Sequence, residues 1–248
     1  MRAKLYVDIL PQPDNTSCGP TCLHAVYRYY DDAIPLAQVI DEVPELKEGG
    51  TLAVYLACHA LNRGYRATIT TYNLQIFDPT WSTVSREELI KKLEKQSVYK
   101  KDIPGFEVAT KAYLNFLKLG GQLRFEVLTA SLIRKYLKRS IPLLTGLSAT
   151  YLYDSSRELY DGTDLVYDDI RGETQGHFVV LAGYDMHERS VLVADPFKPN
   201  PLAFGQYYHI NIFRLICAIM LGVLTYDGDM LIVEPRKRKR RDLNARQG

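Results

Sequence analysis

The sequence predicts an α+β domain. Apolar residues recur at helical spacing through most of residues 18–139, and short β-like runs bounded by Gly, Pro and Asp dominate residues 142–233. No low-complexity linker interrupts the chain before Arg236. With 248 residues, 46% of them hydrophobic and 24% charged, the chain is long enough to bury one sizeable core. The expected organisation is a single domain over residues 1–235, its helical first half packed on a mainly antiparallel sheet half. A basic tail, expected to be disordered, covers 236–248.

Residues 4–9 read as a short strand with Leu5, Val7 and Ile9 on one face. They lead into Pro11-Gln12-Pro13-Asp14-Asn15-Thr16-Ser17, a loop by composition. From 18 to 30, Cys22, Ala25, Val26 and Tyr29 recur at helical spacing, and Pro20 is tolerated only in a first turn. That helix therefore begins at or beside Cys18. Further helices are expected at 52–62, ended by Gly64, and at 86–96, where Ser85 can cap with Glu88 three residues on. Two more are expected at 108–119, ended by Gly120-Gly121, and at 130–139. Strands are expected at 142–147, 178–184, 191–194 and 231–233. The apolar run 210–226 is at roughly 17 residues the short edge of membrane-spanning length. Ile212, Leu215, Ile216 and Ile219 suit a core helix better, so no membrane span is expected.

The formal charge of +2 hides an asymmetry. Of 31 Lys+Arg and 29 Asp+Glu, seven and one fall in residues 236–248, so the preceding body is net −4. Such a body does not suit a polyanion partner, and nucleic acid is expected at most weakly, through the tail. A short charged terminus is more often simply solvated. The four cysteines, Cys18, Cys22, Cys58 and Cys217, lack the density of a disulfide scaffold, and no signal-peptide pattern opens the chain. A reducing, cytoplasmic setting is the expectation, with no cofactor and no metal.

Cysteine reacts as thiolate, and a thiol with pKa about 8.5 needs a helix N-terminus or an imidazole to ionise at neutral pH. Cys18 has the helix N-terminus, whose free N–H groups and dipole favour negative charge there. The same N–H groups can face an oxyanion, with Gln12, six residues upstream, as a second donor. Five histidines could supply the base: His24, His59, His177, His187 and His209. Four have no obvious partner in the sequence. His177 opens a strand, Gly176-His177-Phe-Val-Val-Leu-Ala-Gly183, followed by a second strand ending at Asp195-Pro196. Adjacent antiparallel strands place the start of one near the end of the next, so Asp195 can orient His177.

The segments Gln12-Pro-Asp-Asn-Thr-Ser-Cys18-Gly-Pro-Thr-Cys22, Gly176-His177-Phe-Val-Val-Leu-Ala-Gly-Tyr and Val193-Ala-Asp195-Pro occur in that order. Together they resemble the bacteriocin-processing, double-glycine leader peptidase branch of the papain-like cysteine peptidases. The resemblance runs from Gln12 to the last strand near Glu234. It implies a papain-like fold with its active site in the cleft between the two halves, and a peptide or protein substrate. It also implies Cys18 as nucleophile, His177 as base, Asp195 as orienter, Gln12 as oxyanion donor, and cleavage after Gly-Gly at family level. The membrane and ATPase domains of the family's transporter-linked members have no counterpart here.

Each of these residues has a structural alternative. Cys22 suits a small buried hydrophobe, Asp195 before proline can start a turn, His177 can be a satisfied core histidine, and Gln12 can be surface polar. The functional reading gains because all four roles are filled at once. Two competing functions remain open, an amide transferase or isopeptidase using the same acyl-enzyme, and a peptide-binding module without turnover. The acidic stretch 154–173 could select cationic peptides or dock the basic tail.

Overall fold

The computed structural model describes residues 2–47, 49–160, 165–225 and 227–236. The tail over 237–248 lies outside them. In chain order the elements are β1 (Arg2–Lys4), α1 (Cys18–Tyr29), α2 (Leu36–Glu42), α3 (Ala53–Asn62), β2 (Tyr65–Thr71), α4 (Arg86–Tyr99), α5 (Phe106–Lys118), β3 (Gln122–Arg124), α6 (Ala130–Lys138), β4 (Leu143–Ser148), α7 (Ala149–Tyr153), β5 (Glu158–Tyr160), β6 (Leu165–Tyr167), β7 (Gly176–Asp185), β8 (Ser190–Ala194), β9 (Tyr207–Asn211), α8 (Ile212–Leu221) and β10 (Asp229–Pro235). The fold is α+β, with mostly helical residues before 139 and a sheet built mostly from residues after 142.

The main sheet runs β3-β2-β10-β4-β7-β8-β9, with β1 added to the far end of β7. Only the β2–β3 pair is parallel. β7 is its spine. Over residues 176–181 it pairs with β4, and beyond an irregularity between Leu181 and Gly183 it pairs with β1 instead. A side chain at Gly183 would lie 2.5 Å from the carbonyl oxygen of Ala3, so the exchange of partners needs glycine there. The register puts the start of β7, the end of β4, the end of β8 and the start of β10 at one end of the sheet. That end carries the candidate site.

Helix α1 packs on β7 and is buried along its whole length except Arg28, which makes it a core helix. A Cβ on Gly19 would meet Thr51 at 2.6 Å and Phe178 at 3.2 Å. The helix start is thus wedged between the sheet and the segment leading into α3. Ser85 caps α4 by accepting from the Glu88 N–H at 3.1 Å. The apolar run after 210 forms α8, with Ile212, Leu215, Ala218 and Ile219 buried. No helix among the described residues is long and apolar enough to cross a membrane.

Two expectations are corrected. The first strand is Arg2–Lys4, not 4–9. Leu5, Val7 and Ile9 are buried in alternation as expected, but beyond Leu5 the Tyr207 hydroxyl, bonded to the Val7 carbonyl and the Ile9 N–H, stands where a neighbouring strand would. The first half is also less purely helical than its periodicity suggests, because β2 and β3 join the sheet. β2 is buried at every position but Arg66, so it shows no alternation to read.

Candidate active site

Three local features converge at the sheet end. The first is the loop 12–17, organised by Asp14, whose Oδ1 accepts from Thr16 N at 2.9 Å, Ser17 N at 2.9 Å and Thr16 Oγ1 at 3.1 Å. Burial would raise this carboxyl, but those donors outweigh it and hold it below the usual aspartate range. The loop ends at Ser17, which makes no side-chain cap bond, so the opening N–H groups of α1 are left without a cap at Cys18.

The second feature is His177 at the start of β7. Its Nε2 lies 2.8 Å from Asp195 Oδ1. Since Asp195 stays ionised, Nε2 is the donor and the other ring nitrogen, Nδ1, is left for the hydrogen bond between the imidazole and Cys18. Burial alone would lower the His177 pKa. The negative charges of Asp195 and Cys18, with their hydrogen bonds, outweigh it and hold the imidazole up at about 10. Only 8% of Cys18 and 7% of His177 are exposed, so both reactive groups are largely covered by the protein.

The third feature is the cage around Asp195, which is fully buried just past the end of β8. Oδ1 accepts from His177 and from Phe197 N at 3.0 Å, while Oδ2 accepts from Tyr153 Oη at 2.8 Å and Tyr208 Oη at 2.7 Å. Burial opposes ionisation, yet the His177 charge and these donors keep the carboxyl below its ordinary range. Both phenols are pushed up, first by burial and then by Asp195, and so remain donors. The rings of Tyr153 and Phe197 lie 6.0 Å and 5.9 Å from the His177 ring and shield the ion pair.

Gln12 is tied beside this cage, its backbone N–H donating to the Pro196 carbonyl at 2.9 Å. Its Nε2 spends one N–H on the Asp14 carbonyl at 2.7 Å, and its Oε1 is buried without a partner. Cys22, one turn along α1, donates Sγ–H to the Phe178 carbonyl at 3.2 Å. Burial and the charges of Cys18 and Asp195 keep that thiol neutral.

Sequence reasoning missed Tyr153, Tyr208 and Phe197. A buried carboxylate behind a histidine demands donors for its remaining lone pairs, but the positions that supply them follow from the β8–β9 register and from α7. It also missed Asp227, a buried carboxyl whose Oδ1 accepts from Ala53 N at 3.0 Å and so anchors the start of α3. Burial, with the nearby Asp229 and Cys18 charges, pushes it well above the carboxylate range and keeps it neutral beside the thiol. Asp227→Asn, which retains the acceptor oxygen, is expected to cost less stability than Asp227→Ala. Asp227→Ala orphans the Ala53 N–H and is expected to cost about 1–3 kcal/mol in urea denaturation. Equal damage from both variants would contradict a neutral carboxyl whose role is to accept the Ala53 N–H.

The other histidines lie elsewhere, and the expectation that they lack partners fails for His187, whose Nδ1 meets Glu188 Oε1 at 2.8 Å, for His209, whose Nδ1 meets Ser190 Oγ at 3.2 Å, and for the buried His59. Its Nδ1 meets Tyr27 Oη at 2.8 Å and its Nε2 meets Glu42 Oε2 at 2.9 Å. This imitates a relay, but Tyr27 is fully buried and its phenol is driven up by that burial, so the cluster ties α1, α2 and α3 together. Among the described residues, no group of three or more His, Cys, Asp or Glu is placed to hold a metal.

Solved structures similar to this chain include a double glycine motif protease from an AMS/PCAT transporter in complex with its leader peptide, 16% identical, covering 94% of both chains, TM-score 0.42. A putative C39-like peptidase from Bacillus anthracis is 14% identical, covers 96% of this chain and 100% of its own, with TM-score 0.48. Xylellain, a cysteine protease from Xylella fastidiosa, is 14% identical, covers 95% and 86%, with TM-score 0.40. A search of the curated proteins finds no match. The model of the Peptidase_C39 like family matches residues 4–213, a span that holds Gln12, Cys18, His177 and Asp195. The chain belongs to that family, and with it to the cysteine peptidases.

Proposed function

We infer that this protein hydrolyses a peptide bond through Cys18, His177 and Asp195, with an acyl-enzyme on Cys18. The observation that carries the reading is the 2.8 Å bond from His177 Nε2 to Asp195, which leaves Nδ1 for Cys18 at an uncapped helix start. In the proposed sequence the Cys18 thiolate attacks the scissile carbonyl. The first N–H groups of α1 and the second Nε2 hydrogen of Gln12 stabilise the oxyanion. His177 then gives its Nδ1 proton to the leaving amine, and later takes one from the water that cleaves the thioester. Asp195 keeps the imidazolium oriented throughout.

The sunken position of Cys18 and His177 favours residues without side chains at the scissile bond. Cleavage after Gly-Gly, the specificity that the resemblance to double-glycine leader peptidases implies, is the preferred reading. The test is mass analysis of peptides with an internal Gly-Gly, with and without added amine, for wild type and Cys18→Ala. Two fragments ending and beginning at that bond, unchanged by amine and absent with Cys18→Ala, are expected. Products formed only with amine would make the protein a transferase, and intact peptide throughout would overturn the hydrolytic reading.

A further inference from the structure

Between α7 and β7 the chain makes a two-stranded arm, β5 and β6, whose base is pinned beside the entry to His177. Glu158 N donates to the Glu173 carbonyl at 3.0 Å and Glu173 N to the Glu158 carbonyl at 2.8 Å, while Asp168 N donates to the Arg157 carbonyl at 2.8 Å. A Cβ on Gly172 would lie 2.5 Å from the Asp168 carbonyl oxygen and 2.7 Å from the Arg157 backbone, so the base closes tightly. Glu158 is thus fixed next to the segment that enters β7.

Glu158 pairs directly with Tyr167 across the arm, and Tyr160 lies two residues on. Side chains directly opposite, and side chains two apart, share a face of a sheet, so one face presents Glu158, Tyr160 and Tyr167 together. Tyr160 and Tyr167 are 67% and 62% exposed, and Glu158 is half-buried at the end nearest His177. Burial raises the Glu158 pKa and the positive charge of His177 opposes it, which places the carboxyl within electrostatic reach of the site. Two neighbouring acids are otherwise engaged, whereas Glu173, paired across from Glu158, is exposed and adds its charge to the same face. Asp168 bonds Arg171 and its own turn, and Asp154 pairs with Arg214 at 3.5 Å. Arg157 is spent on the carbonyls of Asp169 and Ile170.

A carboxylate flanked by two exposed phenol rings suits the ammonium or guanidinium of an extended side chain, through charge and through the ring faces. The chain's own basic tail is a poorer occupant. β10 starts at Asp229 beside the site and leaves at Pro235, paired with Tyr65, at the other end of the sheet. We propose that the Glu158–Tyr160–Tyr167 face is a subsite for a lysine or arginine side chain of the peptide substrate, making this protein selective for cationic peptides. This rests on the proposed peptidase function and deepens it.

Two measurements on wild type, Glu158→Gln and Tyr167→Ala test it. Peptide pairs differing by Lys or norleucine at single positions around the scissile bond are compared by kcat/KM. At one position wild type is expected to prefer Lys about tenfold, falling to about twofold in Glu158→Gln and to an intermediate value in Tyr167→Ala. Separately, Cys18 is alkylated by cationic bromoethylamine and by neutral iodoacetamide. The ratio of the two rates is expected to drop about fivefold in Glu158→Gln. No lysine preference in wild type, or an alkylation ratio indifferent to Glu158, would overturn the inference. A ratio that drops while no peptide is cleaved would sustain the cation subsite and refute the hydrolytic reading instead.

Discussion

Replacing Cys18 by alanine is expected to reduce peptide hydrolysis to background, and replacing His177 by alanine to lower kcat/KM by about 10⁴-fold. The two losses should not add, because thiolate and imidazolium act as one unit and either alone leaves only binding and oxyanion stabilisation. The His177 pKa, raised from 6.5 to about 10, gives the sign of the pH dependence. A raised folded-state value means that the imidazolium's contribution to stability is complete below about 6.5 and is lost as pH rises through about 10. Activity should follow, with kcat/KM falling on the alkaline side as the proton for the leaving amine is lost. A wild-type profile that falls already near pH 6 to 7 on its alkaline limb would mean that His177 is not held as an imidazolium. The check is the pH–rate profile, with circular dichroism to separate unfolding from titration.

Asp195→Asn is expected to lower kcat by about 10²–10⁴-fold while leaving KM within about threefold. The amide puts an N–H where either His177 or the two phenols need an acceptor, so either the imidazole loses its tautomer or the phenols lose their acceptor. Asp195→Ala should also destabilise by about 3–5 kcal/mol, since the imidazolium, two phenols and the Phe197 N–H are then left together in a dry site. Tyr208→Phe removes one donor from Oδ2 and is expected to lower kcat by about 3–10-fold with KM unchanged, the mark of a group acting through Asp195. A KM change as large as the kcat change would place Asp195 in substrate binding instead of orientation.

The helical first half, the strands of the second, and the start of α1 at Cys18 were legible because period, proline position and turn residues agreed there. The pairing of His177 with Asp195 was legible for a different reason, since consecutive antiparallel strands bring those positions together whatever the rest of the sheet does. What stayed hidden depended on distant register. β2 is buried on both faces and has no alternation, and Tyr208 reaches Asp195 only because the β8–β9 register sets it opposite Val193, two residues before Asp195. Asp227 meets Ala53 across 174 residues of chain. The acidic stretch 154–173 was visible as charge, but only the pairing of Glu158 with Tyr167 and Glu173 shows which acids share a face at the base of the arm.

The most direct measurement is the rate of iodoacetamide labelling at each cysteine, read by peptide mass between pH 5 and 9, in wild type and His177→Ala. Cys217 is exposed and serves as the internal reference, whereas Cys22 and Cys58 are buried with their thiols pushed up, Cys58 to about 11. Fast labelling of Cys18 at pH 5 to 6, well ahead of Cys217 despite its burial and slowed at least tenfold in His177→Ala, is the predicted result. Labelling of Cys18 that rises only above about pH 8.5 and is the same in both proteins would contradict the ion pair, and with it the catalytic role of Cys18.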